Sequence, residues 1–132
     1  MTKEPTFIPT KVFRETPSVS FYDATIKNTN GCDVVRHGPN GMSPPLKDGH
    51  TQWYVHYHQV DRNLCVYGSR IFYLVNLDWE EPYHMIYLTP DSGSLCIPIG
   101  CYHRSVSGEE GSVLINQSTR GTQFNFDTEF IP

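Results

Sequence analysis

Residues 93–103 read Gly-Ser-Leu-Cys-Ile-Pro-Ile-Gly-Cys-Tyr-His, and residues 52–59 read Gln-Trp-Tyr-Val-His-Tyr-His-Gln. The first is an apolar run that a Pro98-Ile99-Gly100 turn delivers to a histidine. The second is rich in strand formers and carries two histidines two apart. Strand side chains alternate between faces, so Tyr54, His56 and His58 are expected on one face. If the strands between these two stretches fold back antiparallel, the histidines meet His103 across a single cavity.

Outward from this pair the chain shows short apolar runs separated by turn signals. Residues 61–67 and 71–77 are expected to form a hairpin about Gly68-Ser69, followed by strands at 83–88, 94–98, 102–106 and 112–117. Turns fall at 89–93 and 107–111. Short strands at this spacing imply an all-β sandwich or barrel, and 13% aromatic residues with ten Gly and ten Pro agree. At 132 residues the chain fits one domain with a core of its own. That domain is expected over 21–132, opening on a strand at 21–27. An extended N-terminal arm, 1–20, is punctuated by Pro5, Pro9 and Pro17 and expected to pack on the barrel or a neighbouring copy. Residues 37–49, with three Pro and an Asn-Gly step, read as a rim or lid loop flanked by His37 and His50.

Composition excludes several classes. A net charge of -4, with ten scattered Lys and Arg, provides no footprint for a nucleic-acid backbone. No apolar run reaches membrane-spanning length, and the Met1-Thr-Lys-Glu-Pro5 start lacks the apolar segment of a secretory signal, so a cytoplasmic protein is expected. Cys32, Cys65, Cys96 and Cys101 contain no C-x2-C pair, which removes zinc-ribbon and thioredoxin-type readings and leaves free thiols.

The histidine stretches resemble the two motifs of the cupin superfamily, a jelly-roll barrel. The second motif is Gly, five residues, Pro-x-Gly, two residues, His, three residues, Asn. Here Gly93, four residues, Pro98-Ile99-Gly100, two residues, His103, three residues and Ser107 stand in that order. The first motif appears as His56-Tyr57-His58 closing at Gly68, without the usual Glu; six residues separate Asp61 from Gly68. Alternation places Asp61, Asn63, Cys65 and Tyr67 inward and Arg62 at the edge or outside.

Two chemistries stay open. A divalent transition metal would take His56, His58 and His103 with Asp61 as carboxylate. Without metal, the same histidines are acid and base, since an imidazole titrates near physiological pH. The run Ser92–Pro98, His103 and Val113-Leu114-Ile115 is similar to the dTDP-sugar 3,4-ketoisomerases and dTDP-4-dehydrorhamnose 3,5-epimerases, cupins that act without metal on nucleotide-linked keto sugars. That resemblance implies His56 as the leading base, His58 as a second acid/base or substrate contact, and His103 on the far wall. It also implies a sugar or nucleotide-sugar ligand, no cofactor and, as in many cupins, a homodimer. Tyr54, Asp61, Asn63 and Tyr67 are the expected substrate contacts. The Arg-Gly that precedes the first histidine in those families is replaced by Trp53-Tyr54-Val55, which leaves Arg62, Arg70 and Arg104 as the cations that could replace it. A sugar-binding or structural cupin without turnover is the third alternative.

Overall fold

The computed structural model describes residues 4–9, 11–17, 19–23 and 28–132. Its elements in chain order are β1 (Thr6–Ile8), β2 (Lys11–Thr16), β3 (Val19–Asp23), β4 (Gly31–His37), β5 (Met42–Ser43), β6 (Tyr54–Val55), β7 (Gln59–Val75), β8 (Tyr83–Leu88), β9 (Ser94–Ile97), β10 (Tyr102–Arg120) and the single helical turn α1 (Phe126–Glu129). Short strands are what the sequence leads one to expect, but β7 and β10 are far longer than its turn signals allow.

Those two strands make the architecture. They pair antiparallel from Tyr102 opposite Val75 to Arg120 opposite Gln59. In one half of the molecule β7 has β9 on its other side and β10 has β4, giving the order β1-β9-β7-β10-β4. In the other half β7 is flanked by β8, and β10 by β5 and β6. Side chains from both halves line one cavity, so the halves face one another as the walls of a barrel.

The expected turns at Gly68-Ser69 and at 107–111 are corners inside continuous strands. Gly68 and Gly111 have φ of +72° and +77°, a region open to glycine and costly for other residues. A Cβ on Gly68 would collide with the Gly111 carbonyl oxygen, so the two backbones cross in contact. The pairing register also shifts: Leu114 faces Cys65 while Val113 faces Tyr67, which leaves Val66 as an extra residue. Such a bulge reverses the alternation beyond it. Asp61, Asn63 and Cys65 are buried before it; Arg70, Phe72 and Leu74 are buried after it.

Leu74, Leu88, Leu95, Ile97 and Leu114 are almost fully buried and, with Cys65, Phe72, Trp79 and Cys101, fill one end of the space between the walls. Burial pushes the Cys101 thiol up to about 12, leaving it inert beside His103. In the N-terminal segment, β1 adds to the edge of β9, while β2 and β3 form a separate two-stranded sheet. The strand expected over 21–27 is described to Asp23 in β3; residues 24–27 lie outside the described residues. The loop after His37 is tied to β10 by Asn40 N–H to Gly108 O (2.9 Å) and Ser107 N–H to Gly41 O (2.9 Å), and its β5 segment forms part of the wall. No helix of the described residues is long and apolar enough to cross a membrane.

The corner sets a prediction. Gly68→Ala meets both the positive φ and the Gly111 carbonyl, and is expected to lose about 1–3 kcal/mol. Thermal unfolding reads this as a fall of several degrees; an unchanged midpoint would show that the crossing tolerates a side chain.

Candidate active site

Asp61 is the centre from which the site is built. Its Oδ1 accepts hydrogen bonds from Gln59 Nε2 (2.5 Å) and Asn116 Nδ2 (2.9 Å). Neither amide is free to turn round: Gln59 Oε1 accepts from Arg120 Nε at 2.8 Å, and Asn116 Oδ1 accepts from the Arg62 backbone N–H at 3.0 Å. Arg120 is itself paired with Asp33 at 2.7 Å. With Oδ1 taken, Oδ2 is the oxygen presented to the histidines.

His56 follows directly on β6 and His103 lies at the start of β10, beside Tyr54 across the pairing. His56 Nδ1 lies 3.0 Å from the Glu129 carbonyl oxygen, and His103 Nδ1 lies 3.1 Å from the Cys101 carbonyl oxygen. A carbonyl only accepts, so both imidazoles carry a proton on Nδ1 and turn Nε2 to the cavity. There Nε2 of His56 is 3.4 Å, and Nε2 of His103 3.8 Å, from Asp61 Oδ2. Two nitrogen lone pairs and a carboxylate oxygen at this separation need a shared proton or a cation. Burial lowers the His103 pKa, outweighing the opposing pull of Asp61, and so favours a neutral ring. The rings lie 4.8 Å apart between centroids; Tyr54 stacks on His56 at 6.3 Å and Phe130 meets it edge-on at 5.5 Å.

Glu129 anchors the His56 segment twice. Besides its carbonyl, its buried carboxylate accepts from the backbone N–H groups of Tyr57 (3.1 Å) and His58 (2.6 Å). Asn125 caps the short turn that carries it, its side chain accepting from Asp127 N–H at 2.8 Å.

The cavity measures about 200 Å³ and is lined by five of the seven residues expected at the site, namely Tyr54, His56, Asp61, Asn63 and His103. His58 and Tyr67 are elsewhere. β6 ends at Val55, so the alternation that would align His58 with His56 stops, and the His58 side chain is 40% exposed with Nδ1 3.4 Å from Glu129 Oε2. The Val66 bulge turns Tyr67 out to 56% exposure. Arg62 bonds Thr119 Oγ1 at 2.8 Å outside the cavity, as alternation indicates, and Arg104 lies against the Tyr73 and Trp53 rings. His84 packs on Trp79 away from the site. Of the three arginines named as possible cations, Arg70 alone lines the cavity. Gln59, Asn116, Glu129 and Phe130 went unrecognised in the sequence; only the regular spacing of Gln59 from Asp61 could have flagged one of them. A wider surface hollow of about 570 Å³, bounded by Tyr57, Tyr83 and Tyr102, contains none of the histidines.

The fourfold metal set expected from sequence is thus reduced to three, because His58 is turned away. His56, His103 and Asp61 each offer a ligand atom within 4.8 Å of the others, all three being buried. Two imidazoles with Nδ1–H tied to carbonyls and one carboxylate are a donor set that a divalent transition metal accepts.

Neither family models nor curated proteins match the sequence. Solved structures do. The sugar 3,4-ketoisomerase QdtA of Thermoanaerobacterium thermosaccharolyticum, solved with TDP, superposes with a TM-score of 0.72 at 16% identity, over 99% of this chain and 89% of its own. The fold is the cupin jelly roll. The TDP-quinovose 3,4-ketoisomerase WlaRB of Campylobacter jejuni gives 0.73 at 14% identity, over 98% and 92%. The 3'-monoepimerase ChmJ of Streptomyces bikiniensis, solved with dTDP-quinovose, gives 0.70 at 9% identity, covering 91% of this chain and 66% of the epimerase. The expectation of a jelly roll near these sugar enzymes therefore holds at the level of the fold.

Glu129→Ala is expected to release the Tyr57 and His58 N–H groups and cost about 1–3 kcal/mol, with a changed environment at the His56 ring visible by NMR. Glu129→Gln keeps an acceptor oxygen and should recover most of both. Equal effects of the two variants would mean that the side chain does not position His56.

Proposed function

We propose that the protein is a sugar isomerase or epimerase-like enzyme that moves protons on a keto sugar, a nucleotide-linked one in the manner its structural neighbours suggest. The observation that carries this is the meeting of His56, His103 and Asp61 in a cavity open to a ligand, each imidazole held by a backbone carbonyl. Proton shift next to a carbonyl needs an acceptor for the carbon-bound proton and a donor for the carbonyl oxygen.

The two histidines are suited to opposite roles. Burial favours neutral His103, whose Nε2 lone pair takes the proton from carbon. His56, whose Nε2 lies 3.4 Å from Asp61 Oδ2, is the acid that gives a proton to the carbonyl oxygen, forming an enediol; the reverse steps on the neighbouring carbon complete the shift. The base thus moves from His56, favoured by resemblance, to His103. Tyr54 and Asn63 contact the ring, and His58, outside the cavity, takes no part in proton transfer.

A metal-dependent reaction is the second reading, favoured by the convergence of the three donors. In that reading His56, His103 and Asp61 hold the ion, which supplies Lewis acidity at the carbonyl.

The readings separate on solvent-deuterium incorporation into a panel of nucleotide-linked keto sugars. Exchange should occur in chelator-treated protein and fall by about 10²-fold or more in His103→Ala and His56→Ala. Because the His103 pKa is lowered, the acid limb of exchange should lie below the ordinary imidazole value of about 6.5: the base loses activity only as pH falls through its depressed pKa. No exchange with any sugar overturns the proposal. Near-stoichiometric metal in protein purified without chelator, lost in His56→Ala, selects the second reading.

The proposal extends to a cytoplasmic homodimer. The four cysteines are free, in keeping with a reducing compartment. The outer face of β8 exposes Tyr83, Met85 and Tyr87, an apolar stripe that a second copy would cover. Sedimentation should report twice the 15.1 kDa chain mass, reverting to the chain mass when Met85→Lys is introduced; a monomer at micromolar concentration overturns it.

A further inference from the structure

One cavity residue has no place in the proton chemistry. Arg70 lies on β7 just beyond the bulge and is 3% exposed, yet forms no ion pair with any carboxylate of the described residues. Its Nε donates to Ser112 Oγ at 2.9 Å and its Nη2 to the Val35 carbonyl at 3.4 Å, which fixes the plane of the guanidinium and leaves Nη1 without a protein partner among the described residues. Ser112 Oγ continues to Ser107 Oγ at 2.6 Å and on to His37 Nδ1 at 2.9 Å. That chain ends in no negative charge: burial and Arg70 itself lower His37 to about 4, so its ring is neutral. The other carboxylates at the cavity are engaged, Asp33 by Arg120 and Asp61 by two amides and two histidines.

A buried guanidinium is ordinarily paired, because removing its charge from water is costly. Desolvation lowers the Arg70 pKa only to about 10, so the cation persists at neutral pH. We infer that Arg70 makes the cavity an anion subsite whose counter-ion arrives with the ligand, so that the sugar ring bound beside His56 and His103 carries a carboxylate. The volume of about 200 Å³ is below the range of about 300–1,000 Å³ common for ligand pockets, which fits one monosaccharide ring and places any nucleotide outside. Nη1 is the donor left for a ligand, and a carboxylate oxygen meets its charge where a neutral hydroxyl does not. This deepens the sugar-site reading above and rests on the cavity being the sugar site, not on turnover.

The test is binding, by calorimetry and by histidine ring NMR, of glucuronate and galacturonate against glucose and galactose, with inorganic phosphate as a third arm. At least one uronate should bind about tenfold or more tightly than its parent hexose. Arg70→Met should abolish the difference and Arg70→Lys retain part of it, both variants being checked for native unfolding midpoints. Should Arg70→Met not fold, the wild-type comparison and Arg70→Lys still decide. Equal affinity for acid and neutral sugar, no binding of either, or tighter binding of phosphate than of every uronate overturns the inference. Uronate preference without deuterium exchange would overturn turnover and keep the subsite; exchange on neutral sugars without uronate preference would do the reverse.

Discussion

Where β7 passes β10, Gly68 and Gly111 bring their backbones together so closely that a side chain on the first has no room. Both strands turn there and continue as part of the opposite wall, each half with different neighbours. The site follows from this crossing. Asp61 and Asn116 come from the strand halves on one side of it, Arg70 and His103 from the halves on the other, and the turn sets them across a shared cavity. Backbone hydrogen bonding along two strands of 17 and 19 residues holds the arrangement, so polar side chains can be buried without each having to support the fold.

The polar groups themselves form an ordered set. Backbone carbonyls determine which nitrogen of each imidazole faces inward, and Arg62 and Arg120 determine which end of each amide faces Asp61. Groups aimed in advance need little rearrangement when charge moves, which is the condition for effective acid and base chemistry in a small, partly dry site.

The sequence carried the jelly roll, the His56 and His103 pair, and the inward direction of Asp61 and Asn63, because these depend on local alternation and on motif spacing. It could not carry what depends on a register shift. The extra residue at Val66 leaves no mark in the apolar pattern, yet it sends Tyr67 outward and Arg70 inward. Alternation likewise failed for His58 because β6 is only two residues long, a length set by its pairing with β10 rather than by its own composition. Glu129 was beyond reach for another reason. It lies 73 residues from His56, on a helical turn whose only local signal is an Asn cap, and its contacts with the His56 segment are tertiary.

The same fixed hydrogen bonding divides the cavity wall by how freely it can change over evolution. Gln59 and Asn116 each serve Asp61 on one side and an arginine residue on the other, so exchanging either disturbs two partners at once. Ser43 and Ser105 face each other across the β5 and β10 pairing and line the cavity, their side-chain hydroxyls making no hydrogen bond to another described residue. Substitution at these two hydroxyls can therefore reshape the cavity lining without disturbing another side chain, whereas Asp61 and its two amides can change only together.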